Sequence, residues 1–262
     1  MSITIAVANQ KGGVGKTTTC VNLAAALGAL KRRVLLVDMD PQGNATTGSG
    51  VDKGDLARNT CQVLMGEIAP AEAIVTAGTG GFEVLPANGD LTAAEVDLLG
   101  GQGRERRLAQ GLASVRERYD FILVDCPPAL NMLTVNALVA GDGVLVPVQC
   151  EYYALEGLSA LMNTIRQVSS AANPALRVAG LLRTMFDPRN NLANEVSSQL
   201  ILHFGDAVLR TIIPRNVRLA EAPSHGLPVM YYDSSSRGSQ AYHNLAGELV
   251  RREEKLAVAA SA

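Results

Sequence analysis

The stretch ITIAVANQKGGVGKTTTCVNLAAALGAL, residues 3–30, decides how the chain begins to fold. Residues 3–8 are a short apolar run, and glycines follow at positions 12, 13 and 15. From 17 to 30, Val21, Leu23, Ala24, Leu27 and Leu30 fall roughly on one helical face, which predicts a helix. Strand, glycine loop and helix therefore succeed one another. Residues 34–37 read as a second buried strand ending in Asp38, residues 121–124 as another ending in Asp125, and residues 144–148 as a fourth apolar run. Apolar, β-branched strands separated by helical segments point to an α/β chain with a mainly parallel sheet flanked by helices.

Outward from these strands, residues 91–99, 104–118 and 155–168 read as helices. Residues 177–182 and 208–213 read as later strands, with a helix over 192–204 between them. The last helix is predicted over 240–255, and the alanine-rich end from about 256 is expected to fray. The loop 41–55, rich in Gly, Asn and Thr, is the longest irregular stretch near the start, and such loops commonly carry function. No repeat, low-complexity tract or long linker divides the chain, so residues 1–262 are expected to form one domain.

Composition narrows the class. With 262 residues, 47% of them hydrophobic, the chain can bury roughly 70–75% of its unfolded surface, enough for a core without staples. Cys20, Cys61, Cys126 and Cys150 contain no CxxC pair, which fits neither a disulfide framework nor a closed zinc site and suggests a reducing cytosol. The opening MSITIAVANQ has no basic leader, and no apolar run approaches the ~20 residues that span a bilayer, so a cytoplasmic protein without a membrane partner is expected. A net charge of −2 carries no global nucleic-acid signature, and any such contact needs a local patch. His203, His225 and His243 show no metal spacing.

Lys11, Gly12, Gly13, Val14, Gly15, Lys16, Thr17 and Thr18 form a phosphate-binding loop in the context that makes one credible. Glycines let backbone N–H groups turn inward around phosphate oxygens, and the helix N-terminus adds partial positive charge. Lys16 would reach the β- and γ-phosphates, and Thr17 would offer its hydroxyl to Mg²⁺. The usual G-x-x-x-x-G-K-[ST] pattern has glycine six residues before the lysine, whereas Gln10 stands there and an extra lysine, Lys11, follows. That second ammonium would lie near the same phosphates or cross to those of a partner subunit. Strand ends line the ligand crevice of α/β sheets, so Asp38, Asp40 and Asp125 can face this loop. Asp125 would hold Mg²⁺ through its water shell, and Asp40 would orient or deprotonate the attacking water.

The motifs NQKGGVGKTTT, LLVDMDPQGNAT, FILVDCPP and IIPRNVRLAEAPSHGLPV closely resemble those of the ParA/Soj chromosome- and plasmid-partitioning ATPases, a deviant Walker A group of P-loop proteins. The likeness covers nearly the whole chain. It implies a doubly wound sheet, ATP and Mg²⁺ as ligands, an ATP-dependent sandwich homodimer, and nonspecific binding of double-stranded DNA by that dimer. It also implies weak intrinsic hydrolysis stimulated by a ParB/Spo0J-type partner, and association with the nucleoid. Matched position by position, Lys11 resembles the lysine that reaches across the dimer, Lys16 the phosphate lysine and Thr17 the metal ligand. Asp40 matches the hydrolytic aspartate and Asp38 a support of the metal shell. Pro214, Arg215 and Asn216 resemble the segment beside adenine, and Arg189 and Arg218 match DNA-contacting positions.

Arg183, Arg189, Arg210, Arg215, Arg218 and Arg237 crowd the C-terminal half and are expected to supply a local basic patch, since the arginine fork suits phosphate. Three other readings compete. A MinD-like membrane switch needs a basic amphipathic C-terminal helix, but LVRREEKLAVAASA interrupts its basic run with acids. An iron–sulfur protein needs a second cysteine beyond Cys126, and residues 62–125 hold none. A cargo-positioning or regulatory ATPase using the same switch remains compatible with the nucleotide motifs.

Overall fold

Alternation along the first strand explains the layering. In β1 (Ile3–Val7) the side chains of Ile5 and Val7 join one apolar core and that of Ala6 joins another on the opposite side of the sheet. A strand buried on both faces must be apolar throughout, which is why it reads as a continuous run. The computed structural model describes residues 2–79, 81–100 and 102–261.

After β1 come α1 (Lys16–Ala29), β2 (Val34–Asp38) and three short helices, α2 (Asn44–Gly48), α3 (Thr60–Met65) and α4 (Pro70–Ala73). The strands β3 (Val75–Thr76) and β4 (Glu83–Leu85) precede α5 (Leu91–Asp97) and α6 (Arg107–Leu112). Then follow β5 (Phe121–Asp125), α7 (Met132–Ala140), β6 (Gly143–Gln149), α8 (Ala154–Ala171) and β7 (Arg177–Phe186). The chain continues through α9 (Asn191–Phe204), β8 (Val208–Pro214), α10 (Val217–Glu221), α11 (Val229–Tyr232) and α12 (Arg237–Ser261).

Among the described residues eight strands form one sheet in the order β3-β4-β2-β5-β1-β6-β7-β8, and every pairing is parallel except β3 with β4. From central β1 the chain winds out to one edge, returns through β5 and winds out to the other, as the doubly wound expectation requires. Core residues of α1, α11 and α12 cover one face of the sheet, and those of α3 and α5 to α9 cover the other. Val7 and Asp38 both stand level with Asp125 in the sheet register, so the carboxyl ends of β1, β2 and β5 open on one crevice.

Several elements depart from the sequence reading. The helix predicted over 104–118 is broken into α6 and two flanking 3₁₀ turns, Arg104–Arg106 and Arg116–Arg118. Gly111, a weak helix former, lies within it and packs so closely on Val63 that a Cβ would stand 3.0 Å from a valine methyl. Helix α7 was not anticipated, because Leu133, Ala137, Leu138 and Val139 are all buried and no polar stripe marks a period. The loop 41–55 contains α2 and a 3₁₀ turn, Lys53–Asp55. The final helix begins at Arg237 and continues past residue 256, where fraying was expected, to Ser261.

Candidate active site

The loop between β1 and α1 turns on two glycines in the left-handed region, Gly13 at φ 72° and Gly15 at φ 89°, where a side chain would be strained. Neighbours clamp it from both sides. The Asn9 amide donates to Pro147 O at 2.7 Å while its oxygen accepts from the Lys11 amide at 3.0 Å, and the Thr184 hydroxyl donates to Val14 O at 2.8 Å. The first turn of α1 has no side-chain cap and no acid, so its N–H groups and partial positive charge remain available to an anion.

This loop forms one end of a cleft of about 720 Å³. Gly12, Gly13, Gly15, Lys16, Thr17, Thr18 and Asp40 line one part, and Pro214, Arg215 and Asn216 line another. Two loop residues differ from the rest. Val14 is buried behind the loop, and Lys11 turns its ammonium to Glu151 at 2.5 Å at the surface. Lys16 is only 7% exposed, and its Nζ donates to Lys11 O at 3.3 Å. Burial lowers its pKa, although the charges of Asp125 and Asp40 oppose the shift.

The two strand-end carboxylates are both fully buried, yet they are used differently. One Asp38 oxygen accepts from the Asp40 amide at 3.1 Å, and the other accepts from the Thr46 amide at 2.8 Å and hydroxyl at 2.7 Å. Thr46 in turn takes a hydrogen bond from the Ala87 amide at 2.9 Å, so Asp38 ties α2 and the end of β4 to the crevice. At Asp125, Oδ1 accepts from the Cys20 thiol at 3.5 Å, whereas Oδ2 is buried with no well-formed hydrogen bond among the described residues. Burial and then the charge of Asp38 push the Asp125 carboxyl well above the usual carboxylate range, with the nearby Thr17 hydroxyl opposing. A buried carboxylate oxygen left unpartnered is costly, and the oxygen-rich surroundings suit a hard cation such as Mg²⁺. Asp40 lies on the cleft wall with one oxygen accepting from the Gln42 amide at 2.9 Å.

The arginine patch is smaller than its sequence suggests. Arg183 is only 7% exposed and donates to the Ser197 hydroxyl and to Leu209 O, which corrects its expected place on the surface. It sits on β7, where its neighbours in the strand are core residues. Arg210, Arg215 and Arg237 are exposed. Arg189 is 88% exposed by side chain and forms a paired contact with Asp187 at 2.9 and 2.8 Å, which holds that carboxyl down at about 2. Arg218 pairs with Glu221 at 2.8 Å and with Asp233 at 3.3 Å.

Residue-type reasoning missed Thr184 and Met185, which line the cleft from the end of β7. The rule that strand ends face the crevice would have found them once β7 was placed beside β6. Met185 has φ 48°, a left-handed conformation uncommon for a residue with a side chain, so this wall is locally strained. Tyr242 reaches the same cleft from α12 and its hydroxyl lies 3.2 Å from that of Thr19.

A family model described as an AAA domain matches residues 2–178. The chain is 50% identical to the sporulation initiation inhibitor protein Soj of Bacillus subtilis, over 94% of this chain and 97% of that protein. It is 49% identical to the chromosome partitioning protein ParA of Caulobacter vibrioides, over 95% of this chain and 94% of that one. Among solved structures, it is similar to a Mycobacterium smegmatis chain described as cobyrinic acid a,c-diamide synthase with a bound ATP analogue and magnesium. That match has a TM-score of 0.85 and 38% identity and covers 97% of this chain and 96% of the other. With about half of its residues shared along nearly its full length, the chain belongs to the ParA/Soj family of chromosome-partitioning ATPases.

Proposed function

We propose that the protein is an ATP-switched partitioning ATPase whose ATP-bound homodimer binds double-stranded DNA nonspecifically and is released by hydrolysis. The observation that carries this reading is an uncapped helix N-terminus bearing Lys16 on the cleft wall together with a buried, unpartnered oxygen of Asp125, whose charge acts on Lys16. In this reading the loop amides and Lys16 hold the β- and γ-phosphates of ATP, and Thr17 and Asp125 hold Mg²⁺. Bound Mg²⁺ would neutralise the charge that these phosphates carry. The wall formed by Pro214, Arg215 and Asn216 takes the base end of the nucleotide. Asp40 orients the water that attacks the γ-phosphate. Asp38 serves the metal indirectly, by fixing the loop that carries Asp40.

Lys11 acts at the mouth. Its ion pair with Glu151 is exposed, and exposed pairs contribute only about 0–1 kcal/mol, so a triphosphate can displace it. The γ-phosphate of a second subunit then becomes its partner, which makes the dimer the ATP state. Two copies together double the exposed arginines offered to DNA, and modest contacts add. A ParB/Spo0J-type protein stimulates the otherwise weak hydrolysis, and DNA binding keeps the protein on the nucleoid in the cytoplasm. Among the described residues no helix is long and apolar enough to cross a membrane.

The test is ATPase activity measured with duplex DNA, with a ParB-type N-terminal peptide, and with both. Stimulation only when both are present is the expected result. Activity indifferent to either addition would overturn the partner assignment. Light scattering should show mass doubling with ATP and Mg²⁺ but not with ADP, and equal self-association with both nucleotides would overturn the switch.

A further inference from the structure

Asp125 is held by an unusual donor. Helix α1 carries Lys16, Thr17 and Cys20 in its first two turns, and all three lie near the end of β5. Cys20 is completely buried, and its Sγ stands 3.5 Å from Asp125 Oδ1. A thiol is a weak hydrogen-bond donor, and this one faces a carboxylate oxygen. The Thr17 hydroxyl also stabilises the charged carboxyl of Asp125, but among the described residues the Cys20 thiol is the side-chain donor that the geometry assigns to Oδ1, and Oδ2 is buried without a hydrogen bond of good geometry. The neighbouring carboxylate, Asp38, has both oxygens committed to Thr46 and the Asp40 amide. Of the four carboxylate oxygens side by side at these strand ends, one alone is buried and unclaimed.

We propose that Cys20 is a positioning residue for the magnesium-holding carboxylate: its thiol fixes Oδ1 of Asp125 and so presents Oδ2 as the oxygen that receives the hydrated cation. The proposal rests on the reading that Asp125 and Thr17 hold Mg²⁺. Without the thiol one restraint on the rotation of the carboxylate is lost, and two oxygens compete for one geometry. Partners that orient metal-binding groups typically matter by roughly 10–100-fold in affinity. A thiol is a weaker donor than the usual amide or carboxylate partner, so the expected effect is about threefold to tenfold.

The experiment titrates Mg²⁺ into protein with a fluorescent ADP analogue, for the wild type, Cys20→Ala and Asp125→Asn, after a chelator has given each protein's magnesium-free affinity for the nucleotide. Cys20→Ala is expected to raise the half-saturating Mg²⁺ concentration by about threefold to tenfold with the magnesium-free affinity unchanged, and Asp125→Asn to raise it further. If Asp125→Asn shifts the magnesium curve and Cys20→Ala leaves it in place, the positioning role is wrong while the metal site stands. If Asp125→Asn shifts nothing, the metal assignment itself falls and takes the thiol's role with it. Infrared absorption supplies a second readout that simple loss of packing does not imitate. The S–H stretch present in the wild type and absent from Cys20→Ala should lie at the lower frequency of a bonded thiol and move when Mg²⁺ and ADP are added. A band at the free-thiol frequency that ignores Mg²⁺ overturns the proposal.

Discussion

The crevice at the ends of β2 and β5 and the arginine-bearing surface around β7 and α10 handle charge in opposite ways. In the crevice, Asp125 is buried, surrounded by low dielectric and left with an oxygen that makes no well-formed hydrogen bond among the described residues. On the arginine surface, Arg189 and Arg218 are exposed and already occupied by Asp187, Glu221 and Asp233. The first arrangement is costly until a partner reaches that oxygen, which suits a bound cation. The second costs little either way, since solvent screens such pairs, and it suits an interaction that has to be released.

The largest test of this contrast is Lys16→Ala. Removing a buried charged donor should weaken ATP binding by roughly 100-fold, as expected for charge-assisted hydrogen bonds of about 3 kcal/mol, in equilibrium titration of the nucleotide. Loss of only a few-fold would mean the crevice does not concentrate binding energy as described. Asp40→Ala should leave that titration almost unmoved but lower the hydrolysis rate by about 100-fold to 10,000-fold, the range for a positioned acid–base group. Rapid turnover by this variant would remove Asp40 from its role.

On the arginine surface the effects should be smaller and graded. Arg218→Ala should weaken duplex binding by the ATP-loaded protein several-fold and make the slope of log affinity against log salt shallower by about one for each phosphate that Arg218 neutralises. Asp187→Asn provides the sharper comparison, because it frees Arg189 from its own chain: DNA affinity should rise by about twofold at low salt and converge with wild type at high salt. A decrease would show that the Asp187 pair organises the surface instead of occupying it.

Glu248 is the smallest test and a useful control for Asp125. Burial alone would raise its pKa, but amide donors from Thr211 and Arg210, each at 2.8 Å, and the nearby charge of Arg252 bring it below the ordinary 4.5. A depressed pKa in the folded state contributes stability that is present above the unfolded value and lost as pH falls through the folded one. Glu248→Gln should therefore lower the unfolding free energy by about 1 kcal/mol at pH 7 and by less below pH 4 in urea titrations. A pH-independent difference would mean the carboxylate charge is not what joins α12 to β8.

Much of the crevice was legible because its chemistry is local. Glycines 13 and 15, Lys16 and Thr17 belong to one short segment whose backbone demands specify residue type, and Asp38 and Asp125 follow apolar runs that announce buried strands. Periodicity failed where burial is complete on all sides, as in α7, or where a segment breaks into turns, as around α6. The sequence by itself thus determined the order of the strands' chemistry, the phosphate loop and the acids at strand ends, since each depends on neighbours within a few residues. Only the tertiary structure decided that Thr184 clamps the loop, that the Cys20 thiol faces Asp125, that Arg183 is buried and that Arg189 is occupied. Those facts depend on which distant segments are brought into contact and on which groups lose water when they meet, and neither is written in any local pattern.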